Sequence, residues 1–139
     1  MGIENDGYVV YVAHHRLAEG ARVAVAAWGL PLCAKAPKWH SDAVTAVCVP
    51  KGVNSADVLK TGYYRYRMSL GVGLSKVAGS VFRIGHIGNV NELMILQALA
   101  GCEMAMRDVG IPVAAASGVA AAQEHFRKTA PHMELSKVA

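Results

Sequence analysis

The stretch Ser80 to Pro112, SVFRIGHIGNVNELMILQALAGCEMAMRDVGIP, decides the fold. Its opening, Ser80 to Gly85, is a run of β-branched and aromatic residues that reads as a strand. Strand alternation places Arg83 on the face opposite Phe82 and Ile84. Beyond Gly88, Asn89 or Asn91 offers a side-chain cap for a long helix that runs to about Val109 and is closed by Gly110 and Pro112. That helix has only a narrow polar stripe around Glu92, Glu103 and Arg107, while Leu93, Met94, Leu96, Leu99, Ala100, Cys102 and Met106 cover most of the remainder. Such a helix is buried on more than one side. A small domain with two or three strands cannot cover it alone, so the stretch predicts a dimer or a neighbouring domain.

Working upstream, Leu17, Ala21, Val25 and Trp28 recur at helical spacing until Gly29 and Pro31, preceded by a polar, glycine-containing lead from Met1 to Gly7. His14, Arg16, Glu19 and Arg22 form the polar side of this helix, and the adjacent His14 and His15 point in different directions, which makes them poor joint metal ligands. Ser41 to Val49 (SDAVTAVCV) reads as a mostly buried strand stopped by Pro50 and Gly52. Asn54 or Ser55 then caps a helix with Asp57 in its first turn and Val58, Leu59 and Tyr63 as its apolar stripe, ending near Tyr66. Met68 to Val72 is a short extended piece and Gly73 to Gly79 a turn-rich one. Downstream, Ser117 and Gly118 are the candidate cap of a terminal helix through Phe126, before a polar tail.

A chain of 139 residues is the size of one domain. Apolar residues make up 53% and charged residues only 17%, against about 25% charged in ordinary soluble domains, and this excess of apolar surface asks for a partner. Apolar runs break before the ~18 residues that would indicate a membrane span, and no basic leader with an apolar stretch precedes the domain, so the expected location is the cytoplasm. Cys33, Cys48 and Cys102 are odd in number, widely spaced and set among apolar neighbours, the pattern of reduced core thiols. The net charge of +4 is scattered, and its densest group, Arg65 and Arg67, is too short to predict nucleic-acid binding.

No phosphate-binding glycine loop, paired metal-ligand motif or nucleophile elbow is present. Gly71 to Gly73 (GVG) precedes a turn and a strand, and so lacks the strand-to-helix context of a dinucleotide site. The segment with chemical content is Phe82 to Asn89, FRIGHIGN. A guanidinium fixed at a strand end, followed by glycines that let a ligand approach the backbone, suits a bidentate carboxylate clamp at Arg83. The alternative is a structural arginine paired with a nearby carboxylate. His86 either contacts substrate or caps a turn.

Lys76 to Ile111, KVAGSVFRIGHIGNVNELMILQALAGCEMAMRDVGI, strongly resembles the carboxyl-terminal part of class V aminotransferases that use pyridoxal phosphate, especially the serine–glyoxylate and alanine–glyoxylate group. His14 to Pro50 resembles the family's helix, loop and first small-domain strand in the right order, so the likeness extends from His14 to Arg127. The resemblance implies an α+β domain, spanning 14–128, with a short, largely antiparallel sheet and helices packed on one side. It divides the rest into an atypical lead, 1–13, and a polar tail, 129–139. By the same likeness Arg83 binds the α-carboxylate of an amino acid or oxo acid; the likeness assigns no comparable role to His86, which is expected to stand behind the clamp. The family's cofactor lysine lies upstream of the region covered, and neither Lys60 nor Lys76 resembles its context. The chain is therefore expected to hold no pyridoxal phosphate covalently and to be inactive alone, a fragment of an enzyme acting on small amino acids and oxo acids. A non-catalytic dimerisation or binding module, or a half-enzyme completed by a separate cofactor domain, is the other expectation.

Overall fold

Two antiparallel pairings build the sheet of the computed structural model, which describes residues 3–131, with side chains from Tyr11 onward. The central strand β3 (Val81–Gly85) pairs with β1 (Val44–Cys48) on one side and β2 (Gly71–Val72) on the other. The registers set Ala46 and Gly71 on either side of Arg83. Beyond β1, Leu32 forms an isolated antiparallel bridge with Val47. Four helices complete the fold: α1 (Ile3–Ala27), α2 (Ser55–Tyr66), α3 (Glu92–Asp108) and α4 (Ser117–Thr129). The α+β architecture is the expected one, with a sheet that is antiparallel throughout.

Alternation along the strands divides the sheet into two faces. Thr45, Val47, Phe82 and Ile84 are buried on the helix-covered face, joined in the core by Leu17 and Val25 of α1, Val58 of α2, and Ile95, Leu99 and Met106 of α3. Val44, Ala46, Cys48 and Arg83 alternate with them on the other face and remain half-buried. Full burial of each large aliphatic or aromatic side chain contributes roughly 1.5–3 kcal/mol, so the first face carries most of the domain's stability.

Local chemistry settles several boundaries. Asn54 caps α2 by accepting from the Ala56 N–H at 2.9 Å, and Asn91 caps α3 by accepting from Met94 N–H at 3.0 Å. Helix α1 begins at Ile3, inside the expected polar lead, and no proline interrupts residues 3–27. The tail assigned to 129–139 begins inside α4, and from residue 132 it lies outside the described residues.

Two expectations for α3 need correction. Glu103, placed in the exposed polar stripe, is only 4% exposed. Its Oε1 accepts from the Trp28 indole N–H at 2.8 Å and from the backbone N–H groups of Gly118 and Val119 at 2.7 and 3.1 Å. It thereby caps α4 from another helix. The expected cap at Ser117 fails, since Ala116 is the N-cap residue, in the left-handed region at φ 61°, and offers no side-chain acceptor. Within this chain, moreover, α3 buries one side and leaves Leu93, Met94 and Met104 exposed on the other. Among the described residues no further element lies over them.

Candidate functional site

Arg83 sits in the middle of the central strand, on the half-open face of the sheet. Its Nε–H donates to the Val72 carbonyl of β2 at 2.8 Å. The neighbour across β2 is Gly71, and a Cβ built there would lie 3.0 Å from Arg83 Cβ, 3.2 Å from Nε and 3.5 Å from Nη2. The missing side chain at Gly71 is what lets the guanidinium lie over the strand. No carboxylate among the described residues pairs with Arg83, so the structural-pair reading finds no partner there. A guanidinium held through Nε keeps its two terminal nitrogens for a planar, bidentate acceptor.

His86 lies on the opposite, core-facing side and is fully buried. Its Nδ1 is 3.0 Å from the Asp42 carbonyl, which can only accept, so Nδ1 carries the proton. Nε2 then accepts from the Thr45 hydroxyl at 2.8 Å. Burial pushes the His86 pKa down, against the opposing pull of the Asp42 carbonyl, and holds the ring neutral. With both ring nitrogens engaged, His86 ties the end of β3 to the start of β1 rather than facing the space over Arg83.

Asp42 extends this brace to α1. Burial acts to raise its pKa, but hydrogen bonds from His15 at 3.1 Å and Arg22 at 3.2 Å outweigh burial and hold the carboxyl below its ordinary range. Arg22 also donates to Glu19 at 2.5 Å and to the Ser41 carbonyl at 3.0 Å. His14 turns elsewhere and accepts from the Gly88 N–H at 3.2 Å, so the two adjacent histidines diverge. Gly88 itself, at φ 95°, serves this turn. No signal in the sequence ties Arg22 or Asp42 to the strand ends, because their partners are set by tertiary packing.

The thiols also separate. Cys102 is buried, as expected of a core thiol, whereas Cys33 and Cys48 are only partly buried and sit at the edge of the sheet. Among the described residues no cluster of His, Cys, Asp and Glu could hold a metal. The described lysines, Lys35, Lys38, Lys51, Lys60, Lys76 and Lys128, are all exposed, and none lies in an enclosed site suited to a Schiff base. The described residues therefore do not fit covalent attachment of pyridoxal phosphate. A groove of about 530 Å³ between α2 and α3, lined by Tyr66, Met68, Met94 and Met104 among others, does not include Arg83. No described helix is long and apolar enough to cross a membrane.

No family model matches the chain. It is 54% identical over 129 residues to a serine–glyoxylate aminotransferase of Hyphomicrobium methylovorum, covering 93% of this chain and 31% of that protein. It is 48% identical over 128 residues to an L-aspartate–glyoxylate aminotransferase of Paracoccus denitrificans, covering 92% of this chain and again 31% of the relative. Among solved structures, the pyridoxamine–pyruvate aminotransferase from Mesorhizobium loti superposes with a TM-score of 0.85 at 27% identity, over 92% of this chain and 33% of that one. The chain thus spans about 31% of the length of the curated relatives it matches. Sequence and fold agree that the chain belongs to the class V, fold-type-I aminotransferases and corresponds to their carboxyl-terminal small domain.

Proposed function

We propose that this chain is the substrate-carboxylate-binding domain of an aminotransferase that moves an amino group from serine or alanine to glyoxylate or a similar small oxo acid. The observation that carries the reading is Arg83, tied to Val72 through Nε, with no described carboxylate as partner, half-buried on the face of the sheet opposite Phe82 and Ile84. The likeness to glyoxylate aminotransferases supports a small oxo acid such as glyoxylate as the ligand. Aminotransferases of this kind depend on pyridoxal phosphate, which supplies the electron sink for amino transfer. In this reading its lysine comes from outside the described residues, and the chain alone is not active. Arg83 holds the substrate carboxylate and thereby fixes the position of the reacting amino or oxo carbon. His86 keeps β1 and β3 in register from behind.

We place the protein in the cytoplasm, in keeping with its three unpaired thiols, and in a homo-oligomer or against a large cofactor domain. Exposed Leu93, Met94 and Met104 support that partner, and equally favour the second reading, a dimerisation module or complementing half-enzyme.

The test is a titration of the chain with glyoxylate, following the arginine Nε–H resonances by NMR, alongside transamination assays after mixing with the family's upstream domain. Wild type should show saturable shifts at Arg83 and regain serine–glyoxylate activity on mixing, and Arg83→Lys should lose both. Equal binding by Arg83→Lys would remove the clamp, since an ammonium cannot reproduce the planar fork.

A further inference from the structure

The cysteines at the sheet edge carry an inference independent of the reading of Arg83. Cys33 N–H donates to the Ala46 carbonyl at 2.9 Å, and Cys48 N–H donates to the Pro31 carbonyl at 2.9 Å. These bonds flank the Leu32–Val47 bridge, which makes Leu32 and Val47 a directly opposed pair without hydrogen bonds between them. Period-two alternation then puts Cys33, across from Ala46, on the same face as Cys48, as its diagonal neighbour. Cys33 lies close enough to help push the Cys48 thiol up, and both residues are partly solvent-accessible.

We propose that Cys33 and Cys48 are a reversible dithiol pair, which a low-molecular-weight disulfide such as oxidised glutathione converts to a Cys33–Cys48 disulfide stapling segment 31–33 to β1. The chemistry is two successive exchanges. The Cys33 thiolate attacks one sulfur of oxidised glutathione, a protein–glutathione S–S bond forms, and one glutathione leaves as a thiolate that takes up a proton. Cys48, having given its proton to solvent, attacks the Cys33 sulfur and expels the second glutathione. The protein loses two hydrogens and two electrons are taken up by the glutathione disulfide.

The order follows from the surroundings. Burial, followed by the neighbouring Cys33, pushes the Cys48 thiol up, making it the poorer first nucleophile and the natural resolving thiol. A diagonal pair must close up to reach disulfide geometry, with Cβ atoms ~3.5–4.5 Å apart. Segment 31–33 has the freedom to do so, because it is joined to β1 by a single bridge rather than a continuous ladder. Cys102 takes no part: it is fully buried in the core, where burial pushes its thiol up to about 12.

The face on which the pair lies gives it a consequence. Across the sheet the sequence of neighbours is Cys33, Ala46, Arg83 and Gly71, so the staple forms two strands from Arg83, about 10 Å away at ordinary strand spacing.

The experiment incubates the full chain with oxidised glutathione, blocks remaining thiols, and reads intact mass and non-reduced peptide maps. The expected product is lighter by two hydrogens, contains a peptide linking Cys33 to Cys48, has Cys102 blocked only after unfolding, and reverts with dithiothreitol. Cys48→Ser should stop at one glutathione on Cys33, whereas Cys102→Ser should form the cross-link as wild type does. Stable glutathione adducts on wild-type Cys33 with Cys48 still open to blocking overturn the proposal, as does any cross-link that requires Cys102. The wild-type map decides the matter even if a variant does not fold.

Discussion

The two faces of the same short sheet are put to different uses. On one, Thr45, Val47, Phe82 and Ile84 are at most 4% exposed and share the core with four helices. On the other, Ala46, Cys48 and Arg83 are half-open, and Arg83 turns its Nε–H to the Val72 carbonyl. One residue of alternation in VFRIG thus separates the helix-covered core from the half-open face. Phe82→Ala should cost about 3–5 kcal/mol through lost burial and the cavity left behind. Arg83→Ala, one position along, should change stability by no more than about 0.5 kcal/mol while removing carboxylate binding. Urea unfolding of both variants checks the division, and a comparable loss at the two positions would break it.

The buried side admits polar groups only where each is satisfied. Glu103 sharpens this, because a single oxygen receives the Trp28 indole and two backbone donors at the start of α4. Glu103→Ala should lower stability by roughly 2–3 kcal/mol, since it strands those donors and removes the cap. Glu103→Gln, which keeps an acceptor oxygen, should lose about half as much. Thermal melts of the pair distinguish capping from simple filling of space: equal losses would mean the carboxamide oxygen cannot serve as the cap.

Strands, helix caps and the split between Phe82 and Arg83 are legible in the sequence because they depend on neighbours a few residues away. Asn54 and Asn91 cap helices that begin one residue later, and period two alone sends Arg83 away from the core. What could not be read depends on distant packing. Glu103 looks like an exposed helix residue until α4 and Trp28 arrive above it. Cys33 and Cys48 look like unrelated thiols until the Leu32–Val47 bridge aligns them. Likewise the position of FRIGHIGN in the chain groups Arg83 with His86, yet three residues of a strand and its extension send them to opposite faces.

His86 tests the buried face by pH. Its folded pKa is depressed, so the unfolded chain takes up a proton first as pH falls through about 6.5, and stability is lost on the acid side. Above about pH 7 both states are neutral and this contribution is constant. Denaturation midpoints should therefore be flat above neutrality and decline on acidification through the 6s, by at most about 1.4 kcal/mol per pH unit from this group. His86→Gln should start lower and lose that slope. A wild-type profile that stays flat down to the carboxylate range would mean the ring is protonated without penalty, contrary to its burial.

The smallest expected effect falls on the open face, at Gly71. No left-handed backbone requires glycine there, so a methyl group is acceptable to the strand itself, and its three nearest atoms are all in Arg83. Its 3.0 Å approach to Arg83 Cβ and 3.2 Å approach to Nε leave the side chain to move by a few tenths of an ångström, and the Nε–H bond to Val72 is the contact that yields. Gly71→Ala should therefore change stability by less than about 1 kcal/mol, with β-propensity and crowding opposing each other. Carboxylate affinity at Arg83 should fall about three- to tenfold, which corresponds to roughly 0.6–1.4 kcal/mol. The Arg83 Nε–H resonance reports the cause directly, since a weakened bond to Val72 exchanges faster with solvent. Unchanged exchange with a large loss of stability would show that Gly71 serves the backbone of β2, and that the guanidinium owes its aim to something other than the empty space beside it.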